Sequence, residues 1–335
     1  MTTYKGINGF AVQSVASDPS PSDEGQVWYN NVSTVWKLST LTTSGSWATV
    51  ANVNTTRSQA GTAGDGNTAV IAFGGSTGPT YLNSTEVFNG TSWTTSPATL
   101  STARVAYGGT GTATAAITAS GLQAGGGAPN DYATVSQTFN GSAWTSTPSL
   151  NTGRREANGT NGSQTAAIVI GGYGAPDVAL TNVESWNGSS WTSVTSMGTA
   201  GYAVGSAGTN TASIAFGGAT TTGGNLSKTE SYNGSSWTTL NSLNTARRKL
   251  GGAGTQTNAL AYGGYTGSDV SSVESWNGTS WTNTTSMPAA KGRIDGNSNT
   301  ATGCLAVSGN NTSETNTVFS WTGPGAYVTK TITTS

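Results

Sequence analysis

The sequence predicts an all-β fold built from six repeats of one four-stranded unit, and three regularities carry that prediction. Tryptophans fall at Trp47, Trp93, Trp144, Trp191, Trp237 and Trp281, with Tyr327 at the next expected place. The intervals are 46, 51, 47, 46, 44 and 46 residues, so six periods span 280 residues. Five of these tryptophans close an Asn-Gly segment: FNGTSW at 88–93, FNGSAW at 139–144, WNGSSW at 186–191, YNGSSW at 232–237 and WNGTSW at 276–281. Upstream of these segments stands a Gly pair ending an apolar run, as in AFGG at 72–75, VIGG at 169–172, AFGG at 215–218 and AYGG at 261–264.

Each strand of the unit follows from local chemistry. Gly-rich segments (GTAG at 61–64, GSAG at 205–208, GGAG at 251–254) read as inner strands, where backbones approach closely. The runs TAVIAF, TAAIVI, TASIAF and TNALAY read as strands buried on both faces. Asn-Gly then joins two outer strands, and a type I′ turn with φ > 0 at both central residues is expected there. The Gly pair weakens to ASG at 119–121 and VSG at 307–309.

Composition limits the chemistry. Among 335 residues there is no histidine and one cysteine, so histidine triads, histidine-ligated metals and internal disulfides are excluded. Thirteen Lys and Arg face fourteen Asp and Glu, and only 8% of residues are charged. A nucleic-acid partner is therefore not expected, because counterion release needs a basic surface. No apolar run approaches the ~20 residues of a membrane helix, and MTTYKGINGFAVQ does not read as a secretory signal. No metal or cofactor is expected.

The ordered features resemble the kelch repeat family across residues 47–327: a Gly pair closing the second strand, an aromatic some 13 residues later, and Trp five residues beyond. The resemblance implies a β-propeller of four-stranded antiparallel blades. Seven blades are preferred, since VWYN at 27–30 offers a seventh aromatic-Asn element and 27–38 with GSWATV at 45–50 offers outer strands. Six blades, with residues 1–40 as a separate attachment segment, are the alternative. The expected division is 1–45 as N-terminal strands or attachment and 46–335 as the propeller, with SDPSPSDEG at 17–25 as linker.

Two sets of candidate site residues stand out. Arg57, Arg104, Arg154, Arg247 and Lys291 recur ten or eleven residues after the repeat Trp, with Gly201 in the fourth unit. They form either a cationic ring for an anionic ligand or structural groups bonded to carbonyls of a neighbouring blade. Arg155, Arg248 and Arg293, beside that position, are freer to make contacts. The second set lies in the variable loops after the Gly pairs: Tyr81, Asp131, Tyr132, Tyr173, Asp177, Tyr265 and Asp269, which suit sugar hydroxyls and ring faces. Glu86, Glu184, Glu230 and Glu274, with Gln137 in the second unit, sit on separate repeats and read as structural or solvated. Cys304 reads as core. GTAGDG at 61–66 has no following helix, so it is not a nucleotide loop.

Function follows by elimination and by resemblance. Kelch-type copper-radical oxidases need histidine ligands, sialidase propellers carry Asp-boxes, and kelch adaptors carry a helical domain; none of these is found in this sequence. The sequence style also resembles kelch-like proteins encoded by tailed phages of marine bacteria. That resemblance implies a non-catalytic virion protein, a tail fibre, adhesin or surface decoration, assembled in the host cytoplasm. Its expected partners are other virion proteins and host-surface carbohydrate, and a homo-oligomer is open, although no heptads specify one. The alternatives are a non-phage bacterial surface scaffold or adhesin, and a carbohydrate-active enzyme using Asp65, Asp131, Asp177, Asp269 or Asp295.

Overall fold

A computed structural model describes residues 14–17, 27–41, 44–105, 108–124, 132–157, 159–294, 300–311, 313–324 and 327–332. The described residues form strands, turns and loops with no helix, and hence no helix long and apolar enough to cross a membrane. They divide into two compact units, Ser46–Thr322 and a terminal unit of Met1–Gly45 with Gly323–Ser335.

In the larger unit, five sheets have four antiparallel strands in sequence order. The first is Gly61–Gly64, Val70–Phe73, Thr85–Phe88 and Trp93–Ser96. The second runs Gly109–Gly111, Ala116–Ala119, Ser136–Phe139 and Trp144–Thr147. The third is Gly159–Ser163, Ala166–Ile170, Val183–Trp186 and Trp191–Val194. The fourth holds Gly205–Gly208, Ser213–Phe216, Thr229–Tyr232 and Trp237–Leu240. The fifth comprises Gly251–Gly254, Ala259–Tyr262, Val273–Trp276 and Trp281–Thr284. A sixth sheet has three described strands, Gly303–Val307, Val318–Thr322 and Ser46–Val50.

The second strand of each unit is mostly apolar because both its faces are covered. In the first sheet Ile71 and Phe73 pack toward Ala116 and Phe139 of the second, while Val70 and Ala72 pack toward Leu305 and Val307 of the sixth. The same alternation links second to third, third to fourth, fourth to fifth and fifth to sixth. The order of packing is thus cyclic. A ring of backbone hydrogen bonds repeats it: the N–H groups of Gly75, Gly121, Gly172, Gly218, Gly264 and Gly309 donate to the carbonyls of Arg104, Arg154, Gly201, Arg247, Lys291 and Arg57, at 2.8–3.3 Å. These four-stranded, blade-like sheets are consistent with a β-propeller.

Inner strands need glycine because an aromatic ring lies across them. A Cβ on Gly61 would collide with the Phe73 ring, and one on Gly251 with the Tyr262 ring.

The strand pairing gives the terminal unit a four-stranded sheet of its own, of mixed direction, in which Ser14–Val15 lies parallel to Val27–Asn30. Val27–Asn30 and Val35–Leu41 form a hairpin whose partner is Tyr327–Ile332, over a six-residue register from Trp36↔Ile332 to Leu41↔Tyr327. Tyr327–Ile332 thus joins the N-terminal strands by its pairing. The tryptophan count has the same explanation. Trp47 pairs with Trp321 as the outer residue of the sixth sheet, the place that periodicity assigns to Tyr327. Its indole Nε1 donates to Thr285 O of the fifth unit at 3.1 Å, as Trp237 donates to Thr195 O one unit earlier. Trp47 and Tyr327 thus mark one place in the cycle, reached first from the N-terminal side.

Candidate functional site

The recurring cations lie inside the protein. Arg57, Arg104, Arg154 and Arg247 have no exposed surface and Lys291 has 1%. Where a unit carries both its cation and its glutamate, the two pair: Arg57 Nη2 to Glu86 Oε1 at 2.5 Å, Arg154 Nη2 to Glu184 Oε1 at 2.6 Å and Arg247 Nη1 to Glu274 Oε1 at 3.1 Å. Arg57 and Arg154 also donate to Gly74 O and Gly171 O, both at 2.9 Å. The glutamates in turn accept from the loop backbone, for example from Asn54 N and Thr55 N onto Glu86. Burial lowers the pKa of Arg57, Arg154 and Arg247, and the glutamate beside each opposes that shift. Buried in this way, these cations show almost no surface to solvent.

Three units depart from the pattern, each differently. Gly201 replaces the cation in the fourth unit, and Lys228, two residues before Glu230, supplies it from the other side. Its Nζ lies 3.5 Å from Glu230 Oε1 and donates to Thr199 O. In the second unit Gln137 replaces the glutamate; Arg104 Nε, Nη1 and Nη2 have no hydrogen-bond partner among the described residues, and burial lowers its pKa to about 10. In the sixth unit Phe319 holds the glutamate's place. Lys291 Nζ sits 4.7 Å from that ring's centroid and donates to Ser308 O at 2.7 Å and Thr317 O at 2.5 Å.

The residues after the cations meet the variable loops. Short antiparallel pairings join Ser58 to Ser76, Arg104–Val105 to Leu122–Gln123, Arg155 to Tyr173, Tyr202 to Ala219, Arg248 to Tyr265 and Gly292 to Asn310. Strand alternation explains the division of labour: the cation points inward, so the next side chain points toward the loop.

In the third and fifth units that side chain is an arginine over a tyrosine. Arg155 lies 5.2 Å from the Tyr173 ring centroid and 5.5 Å from that of Tyr132. Arg248 lies 5.0 Å from that of Tyr265. An aspartate follows four residues after each loop tyrosine, Asp177 and Asp269. Asp177 accepts from the Tyr132 hydroxyl and lies 3.8 Å from Arg155 Nη2, while Tyr202 meets Tyr173 edge-on at 4.9 Å. Burial and the Asp177 hydrogen bond push the Tyr132 hydroxyl up to about 12. Here the structure unites Tyr132, Tyr173 and Asp177.

Around Asp269 a cavity of about 250 Å³ opens between the fifth and sixth units, lined by Arg248, Lys249, Tyr265, Asp269, Arg293 and Asn310. Asp269 fits because residue 292 is glycine: a Cβ there would strike its carboxylate. Burial raises the Asp269 pKa, with Arg293 and Lys249 pulling it down. Burial lowers that of Lys249, whose Nζ lies 3.9 Å from Glu156 Oε1.

Tyr81 lies apart, on the Ser76–Thr77/Thr80–Tyr81 hairpin of the first unit. Asp131 and Asp295 lie outside the described residues. Sequence reasoning missed Lys249, Asn310 and Tyr202. Lys249 had a signal, since it continues the doubled Arg247-Arg248, but Asn310 and Tyr202 look like ordinary loop residues. No protein-family model matches the chain, and no curated protein matches it at a significant level.

Proposed function

We propose that this chain is a six-bladed, kelch-like propeller serving as a non-catalytic recognition module, a tailed-phage virion protein whose loop face contacts host-surface glycan and whose other partners are virion proteins. The observation that carries this reading is the recurrence of an arginine stacked on a tyrosine, with an aspartate four residues on, in the third and fifth units. A guanidinium held on an aromatic face presents fixed donors, the aspartate presents acceptors, and sugar hydroxyls use both. Asp177 and Asp269 belong to different sheets, an arrangement unlike the paired carboxylates of glycoside hydrolysis.

The test is binding of the labelled, full chain to intact marine bacteria and to their extracted surface polysaccharides. Saturable binding that falls at least tenfold in Arg155→Ala with Tyr173→Ala, with the unfolding midpoint kept, supports the reading. Binding to no polysaccharide, or release of shortened sugars during the assay, overturns it.

A further inference from the structure

The cavity between the fifth and sixth units concentrates charge in a chain that carries little. Arg248, Lys249 and Arg293 line it with one acid, Asp269; Glu156, 3.9 Å from Lys249 Nζ, is not among the lining residues. In a protein with a net charge of −1, that is a local excess of positive charge in a half-buried concavity, where field lines concentrate.

The groups lining this cavity narrow the ligand further. Arg248 is held in place by the Tyr265 ring and by donation from its Nη1 to Gly223 O. Asn310 is fixed through its backbone, which exchanges two hydrogen bonds with Gly292 at 2.9 and 3.0 Å. The cavity therefore offers cationic donors for an oxyanion together with an acceptor for ligand donors, the Asp269 carboxylate. A bare sulfate or phosphate satisfies the cations but is repelled by Asp269. A neutral sugar satisfies the acceptor and leaves the cations unmatched. A ring bearing both a carboxylate and hydroxyl groups answers both sets. A volume of about 250 Å³ suits one such ring, being smaller than the pockets of larger ligands.

We infer that this cavity is a subsite for a sugar acid, a hexuronate unit of an acidic polysaccharide, with Arg248, Lys249 and Arg293 on its carboxylate and Asp269 accepting from its hydroxyls. The inference rests on the glycan-recognition reading and assigns it a chemical class and a place.

The test is calorimetric titration of the full chain with glucuronate and galacturonate oligomers, neutral hexose oligomers of equal length, and inorganic sulfate. A uronate oligomer should bind at least tenfold more tightly than its neutral counterpart. Lys249→Gln with Arg293→Gln should remove that preference, and Asp269→Asn should weaken the uronate while strengthening sulfate. Unfolding midpoints of all variants monitor folding, and Arg155→Ala serves as a comparison outside the cavity. Equal affinity for uronate and neutral oligomers, lost in Arg155→Ala but unchanged in the 249/293 double variant, overturns this subsite and leaves the recognition reading standing. Sulfate binding with no saccharide binding overturns the sugar assignment and counts against that reading as well. Binding of neither removes both.

Discussion

Lys291 and Arg104 are the two cations whose glutamate is missing, and they differ in consequence. Burial lowers the Lys291 pKa from 10.5 to about 7. In the unfolded chain the ammonium keeps its proton up to about 10.5, so between pH 7 and that value the unfolded state binds more protons. Stability should therefore rise with pH across this window, by up to ~1.4 kcal/mol per pH unit, with no contribution from Lys291 to the slope below 7. Lys291→Met should flatten the rise in urea unfolding curves at pH 7, 8 and 9; an unchanged slope would refute this assignment. Arg104 lacks an acid because residue 137 is Gln, whose Oε1 is also without a partner among the described residues. Gln137→Glu restores the pair seen in three other units and should stabilise the protein by ~1–3 kcal/mol, read from the same curves. No gain would mean that the second unit holds its guanidinium by other means. The recurrence of these cations was legible in the sequence, but their burial was not. Burial depends on which way a side chain leaves a strand beside the next sheet, and one-dimensional spacing does not encode that direction.

At the scale of elements, the Asn-Gly segments form hairpins at the expected residues with a different turn. In the fifth unit Trp276 pairs directly with Trp281, leaving a four-residue loop in which Gly278 alone has positive φ, at 90°. Asn277 keeps ordinary φ because its Oδ1 accepts from the N–H groups of Thr279 and Ser280, both at 2.9 Å, so its side chain replaces a turn hydrogen bond. The same pair of bonds recurs at Asn89, Asn140, Asn187 and Asn233. Gly278→Ala places a Cβ at unfavourable φ and 3.3 Å from Thr257 O, and should cost ~1–3 kcal/mol. Asn277→Ala removes two hydrogen bonds and should cost ~1–2 kcal/mol. Thermal unfolding of the two variants checks both values, and a neutral Gly278→Ala would contradict the strained backbone described. The strand pattern was readable because apolar alternation follows directly from which faces are covered. The turn type was not, since type I′ and the side-chain-bonded loop both favour Asn-Gly.

For the whole molecule, the larger unit depends on a strand from its own N-terminal end. Ser46–Val50 completes the sixth sheet, and Trp47 packs on Trp321 and Tyr262 with ring centroids 5.2 and 5.5 Å away. A chain covering 45–322 should keep the unfolding midpoint of this unit. One covering 52–322 should lose several degrees or unfold, because a sheet edge and a buried Trp321 become exposed. Equal midpoints would show that the sixth sheet closes without this strand.

The sequence by itself determined the repeat, the all-β strand pattern, the placement of glycines and the absence of histidine and disulfide chemistry. These are local properties, fixed by backbone sterics, side-chain alternation and residue inventory. Only the tertiary structure decided that Ser46–Val50 completes the sixth sheet, because Trp47 and Tyr327 compete for one place and strand pairing awards it to Trp47. Only the tertiary structure, likewise, turned the recurring cations inward and gathered Arg248, Lys249 and Arg293 around Asp269. Both outcomes depend on contacts between residues far apart in the chain, whose partners are set by how neighbouring sheets pack.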